Sequence, residues 1–313
     1  MASERSYALA ALGGASFIAF SGPLVRLAEA TPTASALMRV GFALPVLWLM
    51  VRWEERRPRT LPGVRDRWLM RLGGAFLAVD LVLWVHAIEA VGAGLATVLA
   101  NLQVLFVGVL GWWLLAERPA RTLLVALPVM LGGVVLVSGV VGDGAYGADP
   151  VAGVVFGLTT SLMYAAYILL MRLATRTAVP TGSARAALFR PLYEATLGAT
   201  AAALVLAVAL PGFDANGAQG VGWTLVVALS SQVVGWMLIS MGMPHLPAAV
   251  TSALLLVQPV LSVVIARVMF DETPSVPQLV GVLLVLVGVL LTTLGTRTRR
   301  AAAADPVPAP APA

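Results

Sequence analysis

The chain has 313 residues, of which 59% are hydrophobic and only 11% charged; that is too little polar side chain to coat a water-soluble globule of this length. The composition excludes a soluble domain and implies an integral membrane protein. The formal net charge of +5 does not mark a nucleic-acid binder, because the Arg residues fall in short connections between apolar runs, and the absence of Cys removes disulfides, thiolate metal sites and cysteine nucleophiles.

Ten apolar runs, each long enough to cross a hydrocarbon layer of roughly 30 Å as a helix, are expected at 7–27, 33–51, 68–90, 92–115, 121–140, 150–172, 186–210, 222–243, 247–269 and 276–295. The alternating ten-residue pattern of a membrane barrel is absent. Met1 to Ser6 carries no cleavage pattern, so the first run is expected to stay as a span. Ala301 to Ala313, rich in Ala and Pro, reads as a disordered tail.

The second connection holds Arg52, Arg56, Arg57, Arg59, Arg65 and Arg67, whereas the third, after Glu89, holds no basic residue. Cytoplasmic loops carry the excess of Arg, so the second connection is placed inside. With each run crossing once, Arg118, Arg121, Arg172, Arg176, Arg297, Arg299 and Arg300 fall on that same side, and Asp143, Asp149 and Asp214 on the other. Both termini are then cytoplasmic, in a multi-pass protein of the cytoplasmic (inner) membrane.

A shift of 155 residues superposes Gln103 on Gln258, Glu117 on Glu272, Pro119 on Pro274 and Gly133 on Gly288. Polar residues and a helix breaker that keep their spacing within an apolar background indicate duplication. Asp80 and Trp84 stand where Gln232 and Trp236 stand, and both pairs are spaced i, i+4 on one helix face. Weaker echoes join Val25-Arg26-Leu27-Ala28 to Met171-Arg172-Leu173-Ala174 and Pro32-Thr33 to Pro180-Thr181. The expected fold is all-α, with ten transmembrane helices as two five-helix repeats, 7–140 and 150–295. Five is odd, so the halves enter the membrane with opposite polarity.

The fourth run ends Leu114-Leu115-Ala116-Glu117-Arg118-Pro119, and its copy runs from Gln258-Pro259 through Asp271-Glu272-Thr273-Pro274 to Gly281 and Gly288. With Ser21 to Ala28 and Met38-Arg39, these stretches resemble the EamA-type members of the drug/metabolite transporter superfamily. The resemblance covers roughly 7 to 295 and implies secondary transport, most often export, of small polar metabolites such as amino acids from a cavity between the halves. The first half has Gln103-Val104 where the second has Gln258-Pro259, so the Pro that most often kinks a helix is missing from the fourth run.

Ionisable groups deep in a span are expensive and are functional candidates by default. Asp80 lies near the middle of the third run and either exchanges a proton or substrate ammonium, or ties that helix to a neighbour. Arg39, a few residues inside the outer end of the second run, either meets a substrate carboxylate, snorkels outward, or pairs with Asp80 to hold the bundle. His86 is a candidate proton relay or a packing residue. The amides of Asn101, Gln103, Gln232 and Gln258 fall near the midplane, where they bind a polar solute or bond across helices for about 1 kcal/mol. Trp84 and Trp236, and more weakly Tyr164, are candidates to line the cavity and accept an ammonium. Trp53, Trp68, Trp112, Trp113 and Trp223 are expected in an interfacial belt. Glu117 and Glu272 oppose the dipole at a helix C-terminus and therefore need an Arg or the start of the next helix as partner. Gly132, Gly133, Gly139, Gly281 and Gly288 are expected to permit close helix approach.

The expected activity is thus alternating-access transport of an amino-acid-like solute, proton-coupled through Asp80 or uncoupled, with a multidrug or cation exporter of the same fold as the alternative. The alternatives from another class are a membrane-embedded enzyme or a receptor; a receptor leaves the inverted duplication with midplane polar groups unexplained, and an enzyme would need a convergent catalytic set. The chain has two His, His86 and His245, and neither a metalloprotease helix motif nor a nucleophile elbow. The sequence implies no metal or organic cofactor; the expected partners are a small molecule and the bilayer, not nucleic acid. Nothing in the sequence distinguishes monomer from homodimer.

Overall fold

The computed structural model describes residues 4–56, 59–115, 121–142, 144–176, 185–242, 246 and 248–304. Glu117, Arg118, Pro119, Asp143 and His245 lie outside these residues.

The first run forms α1 (Glu4–Ala19) and α2 (Ser21–Ala28), which meet at Phe20. Next come α3 (Pro32–Glu54), α4 (Val64–Ala100), α5 (Gln103–Leu115), α6 (Arg121–Val137), α7 (Pro150–Arg176) and α8 (Phe189–Ala209). The eighth run, expected as a single helix over 222–243, is instead α9 (Gly217–Val227), a π-helical segment (Ala228–Gly235) and α10 (Trp236–Gly242). The chain ends with α11 (Ala248–Phe270) and α12 (Val276–Ala304). Thus α12 carries four residues of the expected disordered tail into a helix, and 305–313 lie outside the described residues. A two-residue parallel pairing joins β1 (Arg59–Thr60) to β2 (Arg185–Ala186). Among the described residues, six helical stretches are long and apolar enough to cross a membrane, and four shorter apolar helices accompany them.

α4 merges what the sequence separates into two runs. Its backbone leaves helical geometry at Gly92, with φ of 84°, a conformation that glycine adopts without the steric cost of a Cβ. A second break falls at Asn101 and Leu102, between α4 and α5, although no Pro is present there. Asn101 N bonds Val98 O at 3.1 Å and Leu102 N bonds Leu99 O at 3.0 Å, tightening the last turn. Side chains serve the carbonyls around the break: Asn101 Nδ2 donates to Thr97 O at 2.8 Å, and Ser161 Oγ of α7 donates to Ala100 O at 3.1 Å and to Leu99 O at 2.7 Å, the latter also accepting from Leu102 N. In the second half α11 runs unbroken past Pro259. The presence of Pro is therefore the wrong guide to which helix breaks; the side chains able to receive free carbonyls decide it.

α4 packs on α7 and α8, α1 on the π-helical segment, α10 and α11, α3 on α8, and α6 on α12. Glycines set the closest approaches. A Cβ on Gly133 would lie 2.7 Å from Gly281 O and one on Gly281 2.6 Å from Gly133 O, so α6 and α12 touch backbone to backbone at this point. Gly132, expected to do the same, faces open space, and Gly139 is a turn residue with φ of 69°. Trp53, Trp68, Trp112, Trp113 and Trp223 are all exposed, as a belt against lipid headgroups requires.

Candidate functional site

α3 and α4 bring Arg39, Asp80 and Trp84 together, all buried. The Arg39 guanidinium carbon stands 5.6 Å from the Trp84 ring centroid, within cation–π range. Arg39 and Asp80 attract as opposite charges, and Tyr164 of α7 lies in the same field. Tyr164 packs on Tyr167 with centroids 5.3 Å apart. Thr160 of α7 donates to the backbone carbonyl of Asp80 at 2.9 Å, which ties α7 to the helix carrying the carboxylate. Arg39 Nε is buried and has no hydrogen-bond partner within the protein. An orphaned guanidinium nitrogen is costly to bury, and here it belongs to a collapsed pocket lined by Val25, Ser35, Arg39, Leu81, Trp84 and Val85.

Directly beside this pocket lies a vestibule of about 640 Å³ whose wall includes Arg26, Glu29, Glu89, Gly92 and Tyr146. Val25 and Val85 line both spaces. His86 sits nearer this side: its Nδ1 is 3.2 Å from Glu89 Oε2 and its ring stacks on Phe156 at 5.1 Å.

The remaining sequence candidates are dispersed. Asn101 caps the break described above. Gln103 opens α5, Gln232 is buried within the π-helical segment, Trp236 opens α10, and Gln258 is half-buried on α11. Of the sequence candidates, only Arg39 and Trp84 line either of the two cavities; Asp80, His86, Asn101, Gln103, Tyr164, Gln232, Trp236 and Gln258 line neither. The structure thus gathers Arg39, Asp80, Trp84 and Tyr164 and does not bring the repeated amides to them.

Sequence reasoning missed Glu54 and Glu194 and the burial of Glu272, because these groups lie at span ends where charge reads as solvated. Glu272 is 1% exposed. Its carboxylate accepts from Ala93 N at 2.8 Å and Gly94 N at 3.2 Å, the free amides at the helix start after Gly92, and pairs with Arg26 of α2. An Arg partner is as expected; the helix start belongs to α4 rather than to the next helix. At the other end of α4, Glu194 of α8 is fully buried and bridges Arg71 at 2.8 Å and Arg190 at 2.9 Å. Glu54 of α3 accepts from the first amides of α8, Leu188 N at 2.6 Å and Phe189 N at 3.0 Å. Helix N-termini leave such donors unpaired and favour negative charge. A cue existed: a Glu standing just before a helix breaker, with an Arg in the other half to match.

The sequence matches the EamA-like transporter family over residues 5–139 and 151–294. It is 25% identical over 305 residues to the uncharacterized transporter YwfM of Bacillus subtilis (strain 168), covering 95% of this chain and 97% of that protein. A solved crystal structure superposes with a TM-score of 0.57 over 95% of this chain and 99% of its own, at 18% identity, a likeness of fold. The chain is a multi-pass membrane protein and belongs to the EamA-like transporter family.

Proposed function

We propose that this transporter exports a small polar metabolite, an amino acid or related compound, across the cytoplasmic membrane by alternating access around the buried cluster of Arg39, Asp80 and Trp84. The observation that carries this reading is the buried Arg39 Nε without a partner. A cation held beside a carboxylate and an indole, with one donor unused, suits a zwitterion whose carboxylate takes that donor and whose ammonium meets Asp80 and Trp84. Asp80 is then also the group through which protons couple to export.

The packing supports two five-helix halves of opposite polarity, and the Arg-rich connections support cytoplasmic termini. α7 lies on the first part of α4 as α1 lies on the π-helical segment and α10, and α3 meets α8 and α6 meets α12, each pair joining corresponding elements of the two repeats. Such inverted repeats place substrate sites near the midplane and allow one half to rock against the other. The vestibule, with Glu29, Glu89 and Tyr146, faces the outside on this reading.

Proteoliposomes preloaded with a mixed pool of the standard amino acids test the proposal by counterflow. Uptake of a labelled amino acid above that of protein-free vesicles, lost in R39Q, is expected. Uptake no greater than in protein-free vesicles for every amino acid removes the amino-acid reading. Flux that ignores an imposed pH gradient leaves an uncoupled facilitator in which Asp80 only holds α3 to α4.

A further inference from the structure

Val25 and Val85 line both the vestibule and the closed space beside Arg39, which has no room for a water molecule; a solute that reaches Arg39 from the vestibule has to part them. The two residues are not equally free. Val85 lies on α4, a helix braced by α7 and α8. Val25 lies on α2, eight residues long and closed at Glu29 in left-handed geometry, with φ of 48°; the end of α2 is held on α9 by Asn216 Nδ2 donating to Ala28 O at 3.0 Å and Gln219 Nε2 donating to Leu27 O at 3.3 Å. The residue after Val25 is Arg26, and it is held by Glu272. Glu272 in turn stands in the connection between α11 and α12, and its carboxylate also grips Ala93 N and Gly94 N. One carboxylate of the second half therefore fastens two elements of the first: the short helix that carries the plug and the restarted helix behind it.

We infer that Val25 is the plug, and Glu272 the bolt, of the gate between the vestibule and the Arg39 pocket. A solute passing from one space to the other must displace Val25. α2 cannot swing while Arg26 is paired, so opening the gate breaks the contact of Arg26 with Glu272. The amides of Ala93 and Gly94 keep the carboxylate in place meanwhile, so the bolt can re-form when α2 returns. The inference rests on the reading of the Arg39 pocket as the transport site, but its readout, access to that pocket, does not require that any solute be carried.

The chain has no native Cys, so a single introduced thiol reports without background. Ser35, 1% exposed and lining the Arg39 pocket, is the probe as S35C. E29C in the vestibule shows which face of sealed membrane vesicles the reagent reaches. S231C, buried where the π-helical segment meets α1 and in neither cavity, reports general loosening. A membrane-impermeant thiol reagent is added to the face that labels E29C. S35C is expected to react slowly in the parent, and at least about tenfold faster in E272Q and in R26Q, with E29C and S231C unchanged in all backgrounds. An S35C rate equal to the parent's in E272Q overturns the inference. So does an acceleration shared by S231C, since Glu272 would then be holding the bundle as a whole. Loss of amino-acid counterflow in R39Q tests the transport site separately: a working gate with no counterflow would sink the substrate reading and leave the bolt.

Discussion

Replacing Glu194 by Gln should destabilise the protein more than any surface charge change in this chain. The carboxylate is fully buried and accepts two charge-assisted bonds, from Arg71 Nε at 2.8 Å and Arg190 Nε at 2.9 Å. A hydrogen bond to a charged group contributes about 1.5–3 kcal/mol, and breaking a buried pair by removing one partner costs about 3–5 kcal/mol. Arg71 and Arg190 keep 31% and 19% side-chain exposure and can hydrate once released, which places E194Q toward the low end, about 3 kcal/mol. That is on the order of a hundredfold in the unfolding equilibrium. Arg267 and Asp271 supply the contrast: the pair is 3.1 Å apart, but its side chains are 54% and 95% exposed. Exposed pairs contribute about 0–1 kcal/mol, so D271N should be nearly silent. Unfolding in mixed micelles with increasing SDS, followed by fluorescence of the native Trp residues, measures both variants. A double cycle of E194Q with R71Q should show coupling above about 1 kcal/mol. Equal midpoints for E194Q and D271N would refute the claim that a dry carboxylate clamps α4 to α8.

Three further outcomes follow from the geometry. In G74A the new Cβ would stand 2.7 Å from Ala199 N, with the Ala195 carbonyl closer still, so α4 and α8 must separate; overpacking of this kind costs about 1–3 kcal/mol and should lower the thermal midpoint, whereas G132A, facing open space, should not. S161A removes the donor shared by the carbonyls of Leu99 and Ala100 and should cost about 1–2 kcal/mol in the same SDS unfolding. D80N should abolish the response of amino-acid counterflow to an imposed pH gradient while leaving the protein folded; an unchanged response would place proton coupling elsewhere.

The apolar runs, the interfacial Trp residues and the central trio of Arg39, Asp80 and Trp84 were legible because each depends on residue type and depth alone. A charge twelve residues into an apolar run is conspicuous in any neighbourhood. The ionic clamps were not legible in the same way. Glu54, Glu194 and Glu272 lie close to charged connections, and only the arrival of another helix makes them dry. The break at Asn101 was missed for a related reason: it needs Ser161 from α7 to take carbonyls that a bilayer could not satisfy, and no local rule names that partner. Gln103 and Gln258 differ again: their repeated spacing records duplicated helices and does not require that both copies face one pocket, and neither lines the two cavities.

The reach of the Glu272 contact bears on how the molecule is made. The amides of Ala93 and Gly94 wait for a carboxylate translated 179 and 178 residues later. Until that segment leaves the ribosome, the newborn first half carries a helix start and an Arg26 side chain that only water or lipid phosphate can serve. Its helices can be threaded into the bilayer in order, but the fourth cannot settle until nearly the whole polypeptide has been synthesised.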